Sequence, residues 1–117
     1  MKKVQVKTEV QYMEGGMVIH LIGELDANSS ITVDNVLEDA VAQAPKALFL
    51  NFSRLNYISS AGLGAILATQ QACAARQIPL ILIAMQPRIR SIFEALGLDV
   101  VLTITDSEPE AFTGVAE

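Results

Sequence analysis

Along the chain, Val4, Val6, Thr8, Val10 and Tyr12 alternate with Lys3, Gln5, Lys7, Glu9 and Gln11, the period of two expected of a half-exposed strand. Glu14-Gly15-Gly16 then offers positive-φ turn chemistry ahead of an apolar run over 17–22, which predicts a hairpin. Gly23-Glu24-Leu25-Asp26 closes the second strand. Ala27-Asn28-Ser29-Ser30, rich in capping residues, opens a helix in which Val33, Val36, Leu37, Ala40, Val41 and Ala44 recur at three and four, and Pro45 ends it. Residues 47–52 and 80–84 are nearly continuous apolar runs, as interior strands covered on both faces are. Between them Leu63, Ile66, Leu67, Gln70, Cys73 and Ala74 hold a helical period as far as Gln77, before Pro79 breaks it. The stretch 86–97 reads as a short helix, with Pro87 in its first turn, Gly97 past its end and Ile89, Ile92, Phe93 and Leu96 toward the core. A short strand over 100–104 follows, and Ser107-Glu108-Pro109-Glu110 has the capping-box spacing that starts a terminal helix through Phe112.

The order ββαβαβαβα predicts an α/β single domain over 1–117. It should hold a mixed sheet of about five strands, an N-terminal hairpin followed by right-handed βα crossovers, packed with four main helices. A chain of 117 residues can bury one core and leaves no room for a second. The lone Cys73 excludes an internal disulfide and a cysteine-built zinc site, and it falls on the apolar stripe of its helix, so core packing is its expected role. His20, the single histidine, sits mid-strand among Val, Ile and Leu and is expected to pack or pair across strands, with no metal.

Charge and hydropathy narrow the function. The longest apolar run, 78–85, falls far short of the roughly 20 residues that span a bilayer, and Lys2-Lys3 is followed by alternating polar residues in place of a signal-peptide core. The expectation is a cytoplasmic protein without membrane insertion. A net charge of −5 argues against direct nucleic-acid binding. Its distribution is uneven: residues 40–93 contain no Asp or Glu, only Lys46, Arg54, Arg76, Arg88 and Arg90, so the central segment is locally cationic in sequence.

That segment contains the one concentration of chemistry, Leu55-Asn56-Tyr57-Ile58-Ser59-Ser60-Ala61-Gly62-Leu63-Gly64. Two hydroxyls stand at a helix start, where the first N–H groups lack intrahelical acceptors and the dipole favours negative charge. Either one hydroxyl simply caps the helix, or the position receives an anion. Catalysis is not expected, because a serine nucleophile needs a base in reach and the surroundings do not spell a Gly-x-Ser-x-Gly elbow. Nor is a nucleotide cofactor: the glycines complete neither the dinucleotide fingerprint nor a P-loop. In open sheets function gathers at the carboxyl ends of strands, which here carry Glu24 and Asp26, Ser59 and Ser60, and Gln86 to Arg88.

Gly23-Glu24-Leu25-Asp26, then Tyr57-Ile58-Ser59-Ser60-Ala61-Gly62-Leu63-Gly64, then Pro87 to Gly97 with its Gly-Leu close, together resemble the STAS family of bacterial anti-sigma-factor antagonists, over essentially the whole chain. The resemblance implies a phosphorylation-switched interaction module. The family's central motif usually reads Asp-Ser-Ser/Thr-Gly-Leu-Gly, which places the phosphoacceptor at Ser60; Ser59 stands where the acid is usual, as a possible minor acceptor, and Ala61 replaces the next hydroxyl. Asp26 matches the family's acid close to the modified serine. The implied partners are a GHKL-type serine kinase that doubles as an anti-sigma factor and a PP2C-type phosphatase. Glu24, Asp26, Asn28, Ser59, Ser60, Ala61, Gly62, Leu63 and Arg88 make up the expected partner-binding and switch surface. The alternative implied by the same scaffold is a constitutive STAS subunit, for example of a lipid-transport ATPase complex, without phosphorylation. Ser59 in place of the acid leans that way.

Overall fold

The computed structural model describes residues 6–106. Its elements are β1 (Val6–Met13), β2 (Gly16–Leu25), α1 (Ser30–Ala42), β3 (Leu48–Ile58), α2 (Ser60–Ala75), β4 (Leu80–Ile83), α3 (Pro87–Ala95) and β5 (Thr103–Thr105). The five strands form one mixed sheet in the order β1-β2-β3-β4-β5. β1 and β2 are an antiparallel hairpin and the later pairs are parallel. The predicted α/β fold and five-strand sheet are therefore present. Where four helices were expected, the described residues hold three; the terminal helix from Ser107 and the start of the first strand at Val4 lie outside them.

The strands follow chain order across the sheet, and the helices of the three crossovers all pack into one core cluster on one face. The main core lies there: Met17, Ile19 and Leu21 of β2, Leu48, Leu50 and Phe52 of β3, and Leu80 and Leu82 of β4 meet Val33, Leu37 and Val41 of α1, Ile66 and Cys73 of α2, and Ile89 and Phe93 of α3. Phe52 and Phe93 meet edge to face at 6.0 Å, an arrangement worth about 0.5–1.5 kcal/mol beyond its buried area. The other face carries a smaller apolar cluster, Val18, Ala47, Phe49, Ile81 and Ile83. Both faces of β3 and β4 are thus covered at their amino-terminal ends, the reason their sequences are apolar without alternation.

The hairpin turn requires a glycine at Gly16. Its φ is +154°, and a Cβ there would run into the carbonyl oxygen of Ala47, beside the bond from Met17 N–H to that same oxygen at 3.0 Å.

Two strands depart from their expected limits. β3 continues past Phe52 to Ile58 through a bulge, where the register steps from His20–Asn51 to Ile22–Arg54, and Asn51 Oδ1 accepts from Ser53 N–H at 2.8 Å. The bulge changes the spacing of buried positions from two to three, Phe52, Leu55 and Ile58, which hides the strand from a period-two pattern. The last strand begins at Thr103 and not at Val100, because Leu98 to Leu102 closes a helical turn, with Leu102 N–H donating to Leu98 O at 2.9 Å. That turn buries Leu102 and leaves Val100 and Val101 exposed, packing overriding the strand preference of paired valines.

Candidate functional site

The carboxyl ends of β2, β3 and β4 converge on the start of α2. Ser59 N–H donates to Leu25 O at 2.9 Å, joining the ends of β2 and β3. Ser59 is in extended conformation and is the N-cap of α2, its Oγ accepting from Gly62 N–H at 3.2 Å. One serine of the pair is therefore occupied in capping. Ser60, the first helical residue, is exposed, and among the described residues its hydroxyl takes no partner. The Ser60 and Ala61 N–H groups precede the first intrahelical bond, Leu63 N–H to Ser59 O at 2.9 Å, and no acidic residue stands in the first turn. This end of α2 suits an added anion.

Gly62 permits that geometry. A Cβ on it would lie 2.8 Å from Leu25 Cγ, 2.9 Å from Ile58 Cγ1 and 3.0 Å from Leu25 O. The first turn of α2 thus rests directly on the strand ends. Gly64, the other glycine of the stretch, has nothing within 4 Å of the same imagined atom.

Asp26 organises the adjoining loop. Its Oδ1 accepts from Asn28 N–H, Ser29 N–H and Ser29 Oγ–H, each at 3.0 Å. Ser29, fully buried, accepts Asp26 N–H on its own Oγ at 2.9 Å and also lies 3.1 Å from Glu24 O. Asp26 therefore holds the turn from β2 into α1 whatever else its position serves. Its partner Ser29 was not among the predicted site residues; the signal available was the Asp-x-x-Ser spacing just ahead of a helix.

Beyond Asn51 the edge of β3 outlasts short β4, and side chains from the N-cap and first turn of α3 replace the missing strand. Gln86 Nε2 donates to Ser53 O at 3.1 Å and to Leu55 O at 3.0 Å, and Arg88 Nη2 donates to Asn56 O at 3.2 Å. Ala84, with φ +62°, turns the chain at the end of β4 to bring these residues round. Arg88 thus reaches the strand leading into the serine pair, and Glu24, Asn28, Ala61 and Ser60 are exposed. Two exposed apolar side chains that the sequence did not single out join this end of the molecule: Tyr57, register partner of Glu24, and Ile31 in the first turn of α1.

The cationic character read from residues 40–93 does not survive folding intact. Arg54 pairs with Glu9 at 3.2 Å and Arg90 with Glu94 and Asp106 at 3.1 and 2.9 Å, all from outside or at the border of that segment. These pairs are exposed and worth at most about 1 kcal/mol each. His20 pairs across strands with Gln11 at 3.2 Å, and Cys73 is buried with its thiol pushed up by desolvation, both as expected. Among the described residues no helix is long and apolar enough to cross a membrane.

Comparison with known proteins agrees with this architecture. The STAS domain profile matches residues 3–111, and the chain belongs to that family. It is 23% identical over 111 residues to the anti-sigma F factor antagonist of Paenibacillus polymyxa, covering 94% of this chain and 95% of the relative. It is 28% identical over 92 residues to the anti-sigma-B factor antagonist of Listeria monocytogenes, covering 79% and 81%. Among solved structures it is similar to the anti-sigma factor antagonist SpoIIAA in its unphosphorylated form, with a TM-score of 0.76, 26% identity and coverage of 90% and 91%. The phosphorylated form of Bacillus SpoIIAA superposes with a TM-score of 0.73 at 24% identity, covering 95% and 100%.

Proposed function

We propose that this chain is an anti-sigma-factor antagonist whose binding is switched by phosphorylation of Ser60. In the unmodified state it binds an anti-sigma factor that is also a GHKL-type serine kinase and so frees the sigma factor; a PP2C-type phosphatase restores that state. The observation that carries the reading is the division of labour in the serine pair: Ser59 is spent on the helix cap, whereas Ser60 is exposed and its hydroxyl takes no partner among the described residues.

The mechanism follows from charge. A phosphate adds about −1.5 to −2 at neutral pH, at a helix start where an anion is favourable by about 0.3–1 kcal/mol. The fold therefore tolerates the modification, and the change falls on the surface. Beside Glu24 and Asp26 the new charge makes this end of the molecule strongly negative and bulkier, which disfavours an acidic or close-fitting partner face. SpoIIAA, whose phosphorylated and unphosphorylated forms are both known, supports the reading by likeness.

The test is intact-mass and phosphopeptide analysis of protein from its own cells, with and without phosphatase, together with partner binding by Ser60→Asp. A phosphatase-sensitive mass shift at Ser60 and loss of binding by the aspartate variant are expected. Unmodified protein under all growth and stress conditions, with Ser60→Asp binding as tightly as the parent, would overturn the switch in favour of a constitutive scaffold.

A further inference from the structure

Among the described residues the sheet has an open edge at β1. Among the described residues β1 pairs with β2 alone, and seven of its eight residues are at least partly exposed. Glu14-Gly15 forms a two-residue turn closing on the Met13–Gly16 pair. In such a hairpin the backbone groups of the closing pair face inward, and those of Thr8, Val10 and Tyr12, of opposite parity, face the open edge. Toward the hairpin end the edge exposes apolar side chains among its polar ones: Val10 is 44% exposed, Tyr12 65% and Met13 40%. Two clefts adjoin it, about 190 Å³ between β1 and α1 and about 230 Å³ at the hairpin end, and Tyr12, Met17 and Gln43 line both. A long edge with unpaired backbone is a template for another strand, and the charges that blunt such edges, here Lys7 and Glu9, are confined to the half of β1 away from the turn.

We propose that the occupant is a second copy of this chain, its β1 pairing antiparallel with this one about a two-fold axis at Val10. The register follows from charge and overlap. An axis at Glu9 would set the two Glu9 side chains directly opposite, which is destabilising. An axis at Thr8 would pair only 6–10 of the described strand and leave Tyr12 and Met13 uncovered. An axis at Val10 pairs 7–13 without a like-charge clash: Glu9 faces Gln11, Tyr12 faces Thr8, and Val10 meets its twin. These are the aromatic–β-branched and apolar cross-strand pairs that stabilise sheets. The result is one continuous sheet through both copies, closed by symmetry. Both α2 starts stay open, because β2 separates β1 from β3. The assembly would offer two copies of the site at Ser60, but it does not depend on what that site does.

The experiment is sedimentation velocity on the whole protein across a wide concentration range, with Val10→Lys as the disrupting variant. A dimer is expected for the parent, with its apparent Kd raised at least about tenfold by the paired lysines on the axis. Circular dichroism checks the fold of the variant. Cysteine placement reads the register independently: under oxidation Val10→Cys should crosslink to a dimer and Glu9→Cys should not, with Cys73 silent in its buried position. A parent that stays monomeric at millimolar concentration, a dimer indifferent to Val10→Lys, or preferential crosslinking through Glu9→Cys would each overturn the proposal.

Discussion

Two alanines, placed two residues apart in the first turns of α2, should act in opposite directions. In a helix interior Gly→Ala is worth roughly 0.5–1 kcal/mol of stabilisation, since alanine loses less backbone freedom on folding. At Gly64 nothing opposes that gain, because the added methyl meets no atom within 4 Å. At Gly62 the same methyl lies 2.8–3.0 Å from Leu25 Cγ, Ile58 Cγ1 and Leu25 O. The two side chains are fixed in the core, at 0% and 5% exposure, and the carbonyl is held by Ser59 N–H at 2.9 Å. None of the three yields easily, so the overpacking cost falls in the upper part of its usual range, about 2–3 kcal/mol, leaving a net loss of about 1–2 kcal/mol for Gly62→Ala after the propensity gain. For a domain of this size 1 kcal/mol corresponds to about 4 °C in Tm. Gly64→Ala should therefore raise Tm by about 2–4 °C and Gly62→Ala lower it by about 4–8 °C, with urea midpoints moving in the same directions. Because Gly62 also fixes where Ser60 stands, Gly62→Ala should weaken partner binding beyond its effect on stability. A neutral or stabilising Gly62→Ala would refute the close approach of α2 to the strand ends.

Other substitutions test the remaining assignments. Ser59→Ala should lose about 1 kcal/mol with the N-cap bond, while Ser60→Ala should leave the urea midpoint within about 0.5 kcal/mol of the parent; reversal of that order would sink the division of labour between the serines. Asp26→Ala removes the acceptor for three donors and should cost about 1–2 kcal/mol by chemical denaturation, with no binding partner present. Gln86→Ala strips the donor from the Ser53 and Leu55 carbonyls; amide exchange should accelerate around the end of β3 and the start of α3 more than in β2. Burial pushes the Cys73 thiol up, so the unfolded chain ionises at a lower pH than the folded one. The stability Cys73 contributes is complete below the free-thiol range and declines as pH rises through it, and Cys73→Ala should flatten the fall of the urea midpoint on the alkaline side.

Periodicity alone determined the hairpin, the alternation of strands and helices after it, the one-domain α/β class and the burial of Cys73, because these follow from local spacing against a single core. The serine pair was also legible as a helix start, since capping residues act within one turn. Which serine caps and which is free was not, for either hydroxyl has the reach, and only the junction of Ser59 N–H with Leu25 O fixes the frame of the helix. The extension of β3 to Ile58 was hidden by its bulge, and the short final strand by a turn that buries Leu102 at the expense of two valines. Arg54 and Arg90 of the cationic segment are paired because Glu9 and Asp106 lie outside it in sequence and near in space. The linkage of Gln86 and Arg88 to β3 likewise depends on β4 being shorter than its neighbour, a mismatch between strands that no single strand's sequence records. Local patterns set the elements; long-range pairing decided which polar groups were spent on structure and which were left for function.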